Sequence, residues 1–250
     1  MMKILVALKR VPDPDTRIRV KEGVLDLDGV KFAVNPFDAI ALEQAIRMRE
    51  QLGDVEVVVV SIGTGDCVEQ LRLGLAMGAD RALLVSGAEA PDSLAVARIL
   101  ADVYRRERPD LVLMGKQAID DDSNQAGQML AALLGIGQAT FVSKIELVDG
   151  RSSACCARET DGGIETITVR LPAVVTTDLR LNEPRYVSLP GIMKARKKPL
   201  EEIQLTDPTL KAPARTRVLK LESPPPRKAG IRVRTVDELV EKLRNEAKVI

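Results

Sequence analysis

The residues of this 250-residue chain best suited to chemistry lie in one polar run, Gly115-Lys116-Gln117-Ala118-Ile119-Asp120-Asp121-Asp122-Ser123-Asn124-Gln125-Ala126-Gly127-Gln128. A polar loop entering a helix amino end leaves backbone N–H groups free, here at Asn124 to Gly127, to bind phosphate oxygens with help from the helix dipole. Three consecutive carboxylates oppose an anion unless they point elsewhere. Asp121 either caps the helix or accepts ribose hydroxyls, and both uses keep its charge off a phosphate. The competing reading is that the Asp run is an elaborate N-cap on a solvated loop. There is no Gly-rich phosphate loop, and Lys9-Arg10-Val11-Pro12-Asp13 stands where a dinucleotide fingerprint would follow the first strand.

The composition removes other chemistries. There is no His and no Trp, and the chain has three Cys, two Tyr and three Phe. Without imidazole, a Ser-His-Asp or Cys-His arrangement and a zinc site of the usual kind are excluded within the chain, so proton transfer would fall to carboxylates or lysine. Five rings are too few for base-stacking recognition of single-stranded nucleic acid. Cys155 and Cys156 are adjacent and Cys67 is remote, which is no disulfide framework; they read as small buried hydrophobes in a reducing compartment. The apolar run from Ile4 to Leu8 is too short for a signal-peptide core, and no window approaches the roughly 20 apolar residues of a membrane span. The expected setting is a reducing compartment and not a membrane.

The formal net charge of +1 hides an asymmetry. Residues 1–184 carry 21 Lys/Arg against 28 Asp/Glu, while residues 185–250 carry 16 against 8. An acidic body with a basic tail implies a tail that docks on something negative, or simply a solvated tail.

The elements that must position the polar run follow from periodicity. Short apolar runs alternate with helix-period segments up to about residue 147, which predicts crossover units on a parallel sheet. Strands are expected at Lys3 to Leu8, Glu56 to Ile62, Arg81 to Val85 and Leu111 to Met114, two of them without alternation because both faces are covered. Helices are expected over 37–52, with Asn35 as cap and Pro36 at the first position, over 66–77, from Asp92 to about Arg106, and from near Ser123 to Gly135. Right-handed crossovers then give the order 3-2-1-4. The segments after strands one and four lie side by side at the switch point, where ligands of such sheets bind. Asp149-Gly150 and Asp161-Gly162-Gly163 separate β-rich runs at 141–147, 154–159 and 164–171, read as hairpins extending the sheet, and Ala173 to Thr177 adds a short strand. Residues 199–230, with Pro199, Pro208, Pro213 and Pro224 to Pro226, read as an extended arm rather than a packed element. Thr235 and Glu238 form a capping box for a last helix with Leu239, Val240 and Leu243 on one side.

Several longer motifs in order are similar to the electron transfer flavoprotein β-subunit family over nearly the whole chain. They are Lys9-Arg10-Val11, Asn35-Pro36-Phe37-Asp38, Met77 through Arg81, Gly115 through Gln128, Leu171 through Tyr186, and Leu189 through Ala195. The resemblance implies a doubly wound, mostly parallel, Rossmann-like α/β sheet that binds an adenine nucleotide, with added hairpin strands and an extended C-terminal arm. It implies a nucleotide-binding domain over 1–182, a partner recognition loop over 183–199, and an arm with a C-terminal helix over 200–250 that packs on an α subunit holding most of the FAD. It also implies one structural AMP touched by Ala7, Asn35, Pro36, Phe37, Asp38 and Ile62, and by Gly115, Lys116, Gln117, Asp120, Asp121, Asp122, Ser123, Asn124, Gln125 and Ala126. Relatives commonly carry Thr at the position of Ala126 and Tyr at that of Pro14. In the recognition loop Leu189 is the implied anchor, with Pro190, Ile192 and Met193 beside it, and Lys194, Arg196, Lys197 and Lys198 steering acidic partners. Glu159 matches an acidic residue that contacts the mobile flavin domain, its plainer reading being a solvated strand-end carboxylate.

The function so implied is an electron carrier, not an enzyme in its own right. It takes electrons from acyl-CoA and other dehydrogenases and passes them to a membrane-bound electron transfer flavoprotein–quinone oxidoreductase, with no nucleic-acid partner. Two rivals stand beside it: an electron-bifurcating β subunit with a second FAD and NADH oxidation, and a stand-alone adenine-nucleotide sensor or hydrolase.

Overall fold

The computed structural model describes residues 1–88, 91–207, 209–210, 216, 218–226 and 229–250. Its elements in chain order are β1 (Met2–Ala7), β2 (Arg10–Pro12), β3 (Arg19–Lys21), β4 (Val24–Asp26), β5 (Phe32–Val34), α1 (Pro36–Leu52), β6 (Val55–Ile62), α2 (Val68–Met77), β7 (Arg81–Ser86), α3 (Ser93–Glu107), β8 (Leu111–Gly115) and α4 (Ala126–Leu134). There follow β9 (Gly137–Val148), β10 (Ser153–Thr160), β11 (Gly163–Arg170), β12 (Ala173–Thr177), α5 (Leu189–Ala195), β13 (Leu200–Gln204) and α6 (Val236–Lys242).

Among the described residues nine strands form one sheet in the order β11-β10-β9-β12-β8-β1-β6-β7-β13. The β7-β6-β1-β8 portion is parallel throughout and has the expected 3-2-1-4 order. The hairpins β9-β10-β11 are antiparallel, and β12 joins them to β8 by parallel pairing on both sides. The unalternating apolar runs are explained by two cores, one on each face. Ile4, Val6, Val57 and Val59 pack with Leu42 and Ile46 of α1 and Leu71 and Leu75 of α2. Leu5, Val58, Val60 and Val112 pack with Ile99 and Leu100 of α3 and Leu130 of α4. Each fully buried aliphatic side chain contributes about 1.5–3 kcal/mol by leaving water, which is why successive residues of one strand are all apolar.

Three local expectations are corrected, and one segment left unread by pattern is added. Leu200–Gln204 is not free arm but β13, paired in parallel with β7 from Leu200↔Ala82 to Gln204↔Ser86. Its side chains are mostly exposed, so backbone hydrogen bonds to an open sheet edge decide the strand, and periodicity is silent about such bonds. Residues 10–34 hold the short pairs β2–β5 and β3–β4, whose three-residue strands are too short to leave a pattern. The Asn35 side chain makes no cap bond to α1 and is used elsewhere. Helix α4 starts at Ala126 rather than Ser123, since Asp122 (φ 50°) and Asn124 (φ 49°) are left-handed, which no α-helix continues through. Pro208 and Pro213 lie outside the described residues.

By internal contacts the chain divides into a unit of residues 1–18 and 27–218, and a second of residues 19–26 and 219–250. The second holds the β3–β4 pair, closed by an ion pair between Lys21 and Asp26, and helix α6. The Thr235 hydroxyl accepts from Glu238 N at 3.2 Å, and the Glu238 carboxylate reaches back to Arg234 N at 2.9 Å, one residue earlier than the usual box. No residue of α6 is buried. Among the described residues no helix is long and apolar enough to cross a membrane.

Candidate functional site

A cavity of about 410 Å³ opens at the carboxyl ends of β1 and β8, the two strands at the switch point. That size falls within the range of small-ligand sites, about 300–1,000 Å³. Ala7 from β1, Val60 and Ile62 from β6, Met114 from β8, and Val96 and Leu100 from α3 form its apolar wall. Its polar side is Lys9, Asn35, Asp38 and most of the loop from Gly115 to Gly127, without Ile119 and Asp122.

The amino end of α1 ties the two switch-point segments together. Asp38 is buried; its Oδ2 accepts from Lys9 N at 2.7 Å and its Oδ1 from Gly115 N at 2.8 Å. Burial pushes its carboxyl up to about 6, more than the bonds from Lys9 and Gly115 N–H and from Asn35 pull it down. A β-carbon on Gly115 would lie 2.5 Å from Asp38 Oδ1 and 2.6 Å from Phe37 Cβ, so this contact requires glycine. Asn35 works across the same gap: its Nδ2 donates to Gln117 O at 2.9 Å and its Oδ1 accepts from Ile119 N at 3.3 Å. Its own N–H donates to Lys9 O at 2.9 Å.

The acidic run is held by specific partners. The Lys9 ammonium donates to Asp120 Oδ1 at 2.8 Å and to Asp121 Oδ2 at 3.0 Å. Burial would lower the basicity of Lys9, but its bonds to the two carboxylates outweigh burial and raise it. Burial likewise pushes Asp121 up, and Ser123 N–H together with Lys9 brings it below the usual range. Asp121 Oδ1 accepts from Ser123 N at 3.1 Å, so its side chain closes a turn and does not cap α4. Asp122 is engaged by Gln117, whose Nε2 donates to Oδ1 at 2.8 Å. The intrahelical bonding of α4 begins with Met129 N to Gln125 O at 3.0 Å, so the N–H groups of Ala126, Gly127 and Gln128 have no acceptor inside the helix.

Of the residues expected at the site, Ala7, Asn35, Asp38, Ile62, Gly115, Lys116, Gln117, Asp120, Asp121, Ser123, Asn124, Gln125 and Ala126 line the cavity, while Pro36, Phe37 and Asp122 do not. The Lys116 ammonium is committed away from the cavity's anionic side: it donates to Asp178 Oδ2 at 2.6 Å and lies 5.4 and 5.2 Å from the rings of Phe37 and Phe141. Phe37 acts through its carbonyl, which accepts from the Thr177 hydroxyl at 3.1 Å. Lys9, Val60, Pro91, Ser93, Val96, Leu100 and Met114 also line the cavity. Lys9 stood in a motif read after strand one; the α3 residues carried only a core signal, and their place on the wall depends on how α3 crosses the sheet.

The second expected region is the segment from Glu183 to Pro199. Helix α5 is capped by Ser188, whose hydroxyl accepts from Gly191 N at 3.2 Å. Leu189 is 79% exposed, and Pro190, Ile192, Met193, Lys194 and Lys197 are exposed with it, as is Tyr186. Lys198, expected among the steering cations, is structural instead. Its ammonium donates to the carbonyls of Leu75 (3.1 Å), Gly78 (3.3 Å) and Ala79 (2.6 Å) at the end of α2. Arg72 on α2 donates to Ala195 O at 2.8 Å and Lys198 O at 2.9 Å. Gly191 approaches Ala76 so closely that a β-carbon would lie 2.9 Å from its carbonyl oxygen. At the other end, Arg185 bonds both Glu43 and Glu50 of α1, and Arg47 donates to Glu183 O at 2.9 Å. These clamps join residues more than a hundred positions apart, which sequence reading had no means of pairing. Glu159, near the end of β10, is paired with Arg180 at 2.6 Å and is not a free strand-end carboxylate.

The electron transfer flavoprotein domain model matches residues 22–208. Electron transfer flavoprotein subunit beta of Bradyrhizobium diazoefficiens is 55% identical over 252 residues, the whole of both chains. The mitochondrial subunit beta of Arabidopsis thaliana is 51% identical over 251 residues, again covering both chains, and the human subunit beta is 48% identical over 255 residues, 99% of each.

Proposed function

The chain belongs to the electron transfer flavoprotein family as a β subunit, an electron-transfer component, and from that premise we propose that it is one half of a heterodimer whose FAD is held mainly by a larger α subunit, with one AMP bound structurally in the cavity described above. The cavity is the observation that carries the AMP reading. Ala7, Val60, Ile62 and Met114 offer a purine an apolar surface, and Ser123 and the unpartnered N–H groups of the first turn of α4 offer donors to a phosphate. A flavin dinucleotide, with an isoalloxazine ring, a ribityl chain and a second phosphate, would have to extend beyond a cavity of about 410 Å³. That favours the mononucleotide over the second, redox-active FAD of a bifurcating relative.

When bound, the flavin supplies the redox chemistry, taking electrons from one partner and giving them to the next. This chain's residues have other tasks. Asp38 commits both carboxylate oxygens to backbone N–H groups, so its task is to join two loops. Partner docking falls to residues 183–199, with Leu189 as anchor, Pro190, Ile192 and Met193 as apolar surround, and Lys194 and Lys197 speeding association with acidic partners. Acyl-CoA dehydrogenases are the donors and a membrane-bound quinone oxidoreductase the acceptor. Glu159 faces the mobile flavin domain, and residues 200–250 serve the α subunit. The wholly unburied α6, with Val236 and Leu239 exposed, is the state expected of a helix whose partner is another chain. The compartment is the bacterial cytoplasm or the mitochondrial matrix.

Denaturing the purified αβ complex and quantifying the released flavin and nucleotide tests this. One FAD and one AMP per heterodimer is expected; two FAD and no AMP overturns it.

A further inference from the structure

The Lys9 ammonium sits between two carboxylates of the loop bordering the cavity, 2.8 Å from Asp120 and 3.0 Å from Asp121, and all three residues line the cavity. We propose that Lys9 is the positioning residue that makes this acidic loop accept a phosphate, so that it sets the preference of the site for a phosphorylated over an unphosphorylated adenine ligand. The proposal rests on the AMP reading and deepens it.

Three observations carry it. First, the Lys9 main chain is fixed from both sides, its N–H on Asp38 at 2.7 Å and its carbonyl on Asn35 N at 2.9 Å, so the reach of the ammonium is set by the fold. Second, the third carboxylate of the run, Asp122, is bonded to Gln117 and does not line the cavity. The negative charges bordering the cavity from this loop are therefore Asp120 and Asp121, the two that Lys9 holds, while Lys116 is engaged by Asp178. Third, the N–H donors that would receive a phosphate, on Ala126 to Gln128, follow within a few residues of those two carboxylates. A dianion brought there without Lys9 meets two carboxylates that no ammonium holds, and within a few ångströms that repulsion is felt despite solvent. With Lys9 it meets a hydrogen-bonded, largely neutralised loop. A neutral nucleoside feels little of either.

The test uses the refolded αβ complex and equilibrium dialysis with AMP and with adenosine. Lys9→Met is expected to weaken AMP at least about tenfold, the value of one charge-assisted interaction, and adenosine by less than about threefold. Adding Asp120→Asn and Asp121→Asn to Lys9→Met is expected to recover AMP binding to within about threefold of wild type, since the charges Lys9 offset are gone. Equal weakening of AMP and adenosine, or a folded triple variant that recovers nothing, overturns the proposal. Should Lys9→Met fail to assemble with its partner, the Asp120→Asn/Asp121→Asn pair decides: AMP binding at least as tight as wild type supports it, and weaker binding overturns it. A wild-type complex that takes up flavin in place of AMP overturns the AMP reading itself, an outcome distinct from wild-type AMP binding that Lys9→Met leaves unchanged.

Discussion

The N–H of Gly115 donates to Asp38 Oδ1 at 2.8 Å across the floor of the cavity, with no room for a β-carbon between the two residues. Gly115→Ala would place Cβ against that oxygen and against Phe37, including its backbone carbonyl carbon at 2.9 Å, so the clash cannot be relieved by rotating one side chain. The expected outcome is a loss of about 1–3 kcal/mol, the usual cost of overpacking, together with loss of bound AMP. Thermal unfolding and nucleotide content of the purified complex check it.

Asp38 gives the site a pH dependence of defined sign. Its carboxyl is raised from 3.8 to about 6 by burial, so the folded state holds a proton that the unfolded chain has released. Its contribution to stability is complete below about pH 4 and is lost as pH rises through about 6. The lost amount is up to about 3 kcal/mol, taking 1.36 kcal/mol per pH unit. Asp38→Asn does not titrate, and one of its two backbone N–H partners faces an amide nitrogen at a cost independent of pH. The stability difference between wild type and Asp38→Asn therefore shifts against wild type between pH 4 and 7; a flat difference in denaturant titrations would refute the assignment.

Arg185 holds the docking segment to α1. Burial pushes the Glu43 carboxyl up, but Arg185 and Arg47 outweigh it and hold it low, and Arg185 holds Glu50 low as well. Arg185→Ala leaves buried Glu43 with Arg47 and the backbone N–H of residue 185, for an expected loss of about 1–2 kcal/mol, discounted because the Arg185 side chain is 33% exposed. Carboxyls held low stabilise the fold above their ordinary value of 4.5, and that stability is lost as pH falls. The deficit of Arg185→Ala should therefore be greatest near neutrality and fade below about pH 4.5. Arg185→Lys should recover only part, since one ammonium cannot fork to two carboxylates.

Leu189 tests docking directly. With its side chain 79% exposed on a capped helix, truncation removes nothing from the core. Leu189→Ala should lower kcat/KM for reduction by a dehydrogenase roughly thirtyfold, an anchor being worth about 2 kcal/mol, and leave flavin content unchanged. Equal activity would remove the anchor assignment.

The sheet was legible because burial on both faces imposes short, β-branched apolar runs such as Val57 to Val60, and because right-handed crossovers leave few strand orders. The switch point, and with it the Gly115 to Gln125 loop and the segment after Ala7, followed from those rules. Beyond them, local pattern misled where backbone bonding decided. Asp122 and Asn124 take left-handed conformations that delay α4, and Leu200 to Gln204 pairs with an open edge of β7.

The sequence by itself determined which side-chain chemistries are missing, the order of the four central strands and the switch point they create, since composition and hydrophobic periodicity act through local and nearest-element physics. Only the tertiary structure decided what the charges do. Lys9 meets Asp120 and Asp121 across more than a hundred residues, Arg185 meets Glu43 and Glu50, and Lys198 turns from the surface to three carbonyls at and just beyond the end of α2. Long charged side chains carry no periodicity, and their partners are fixed by where the packed elements bring them.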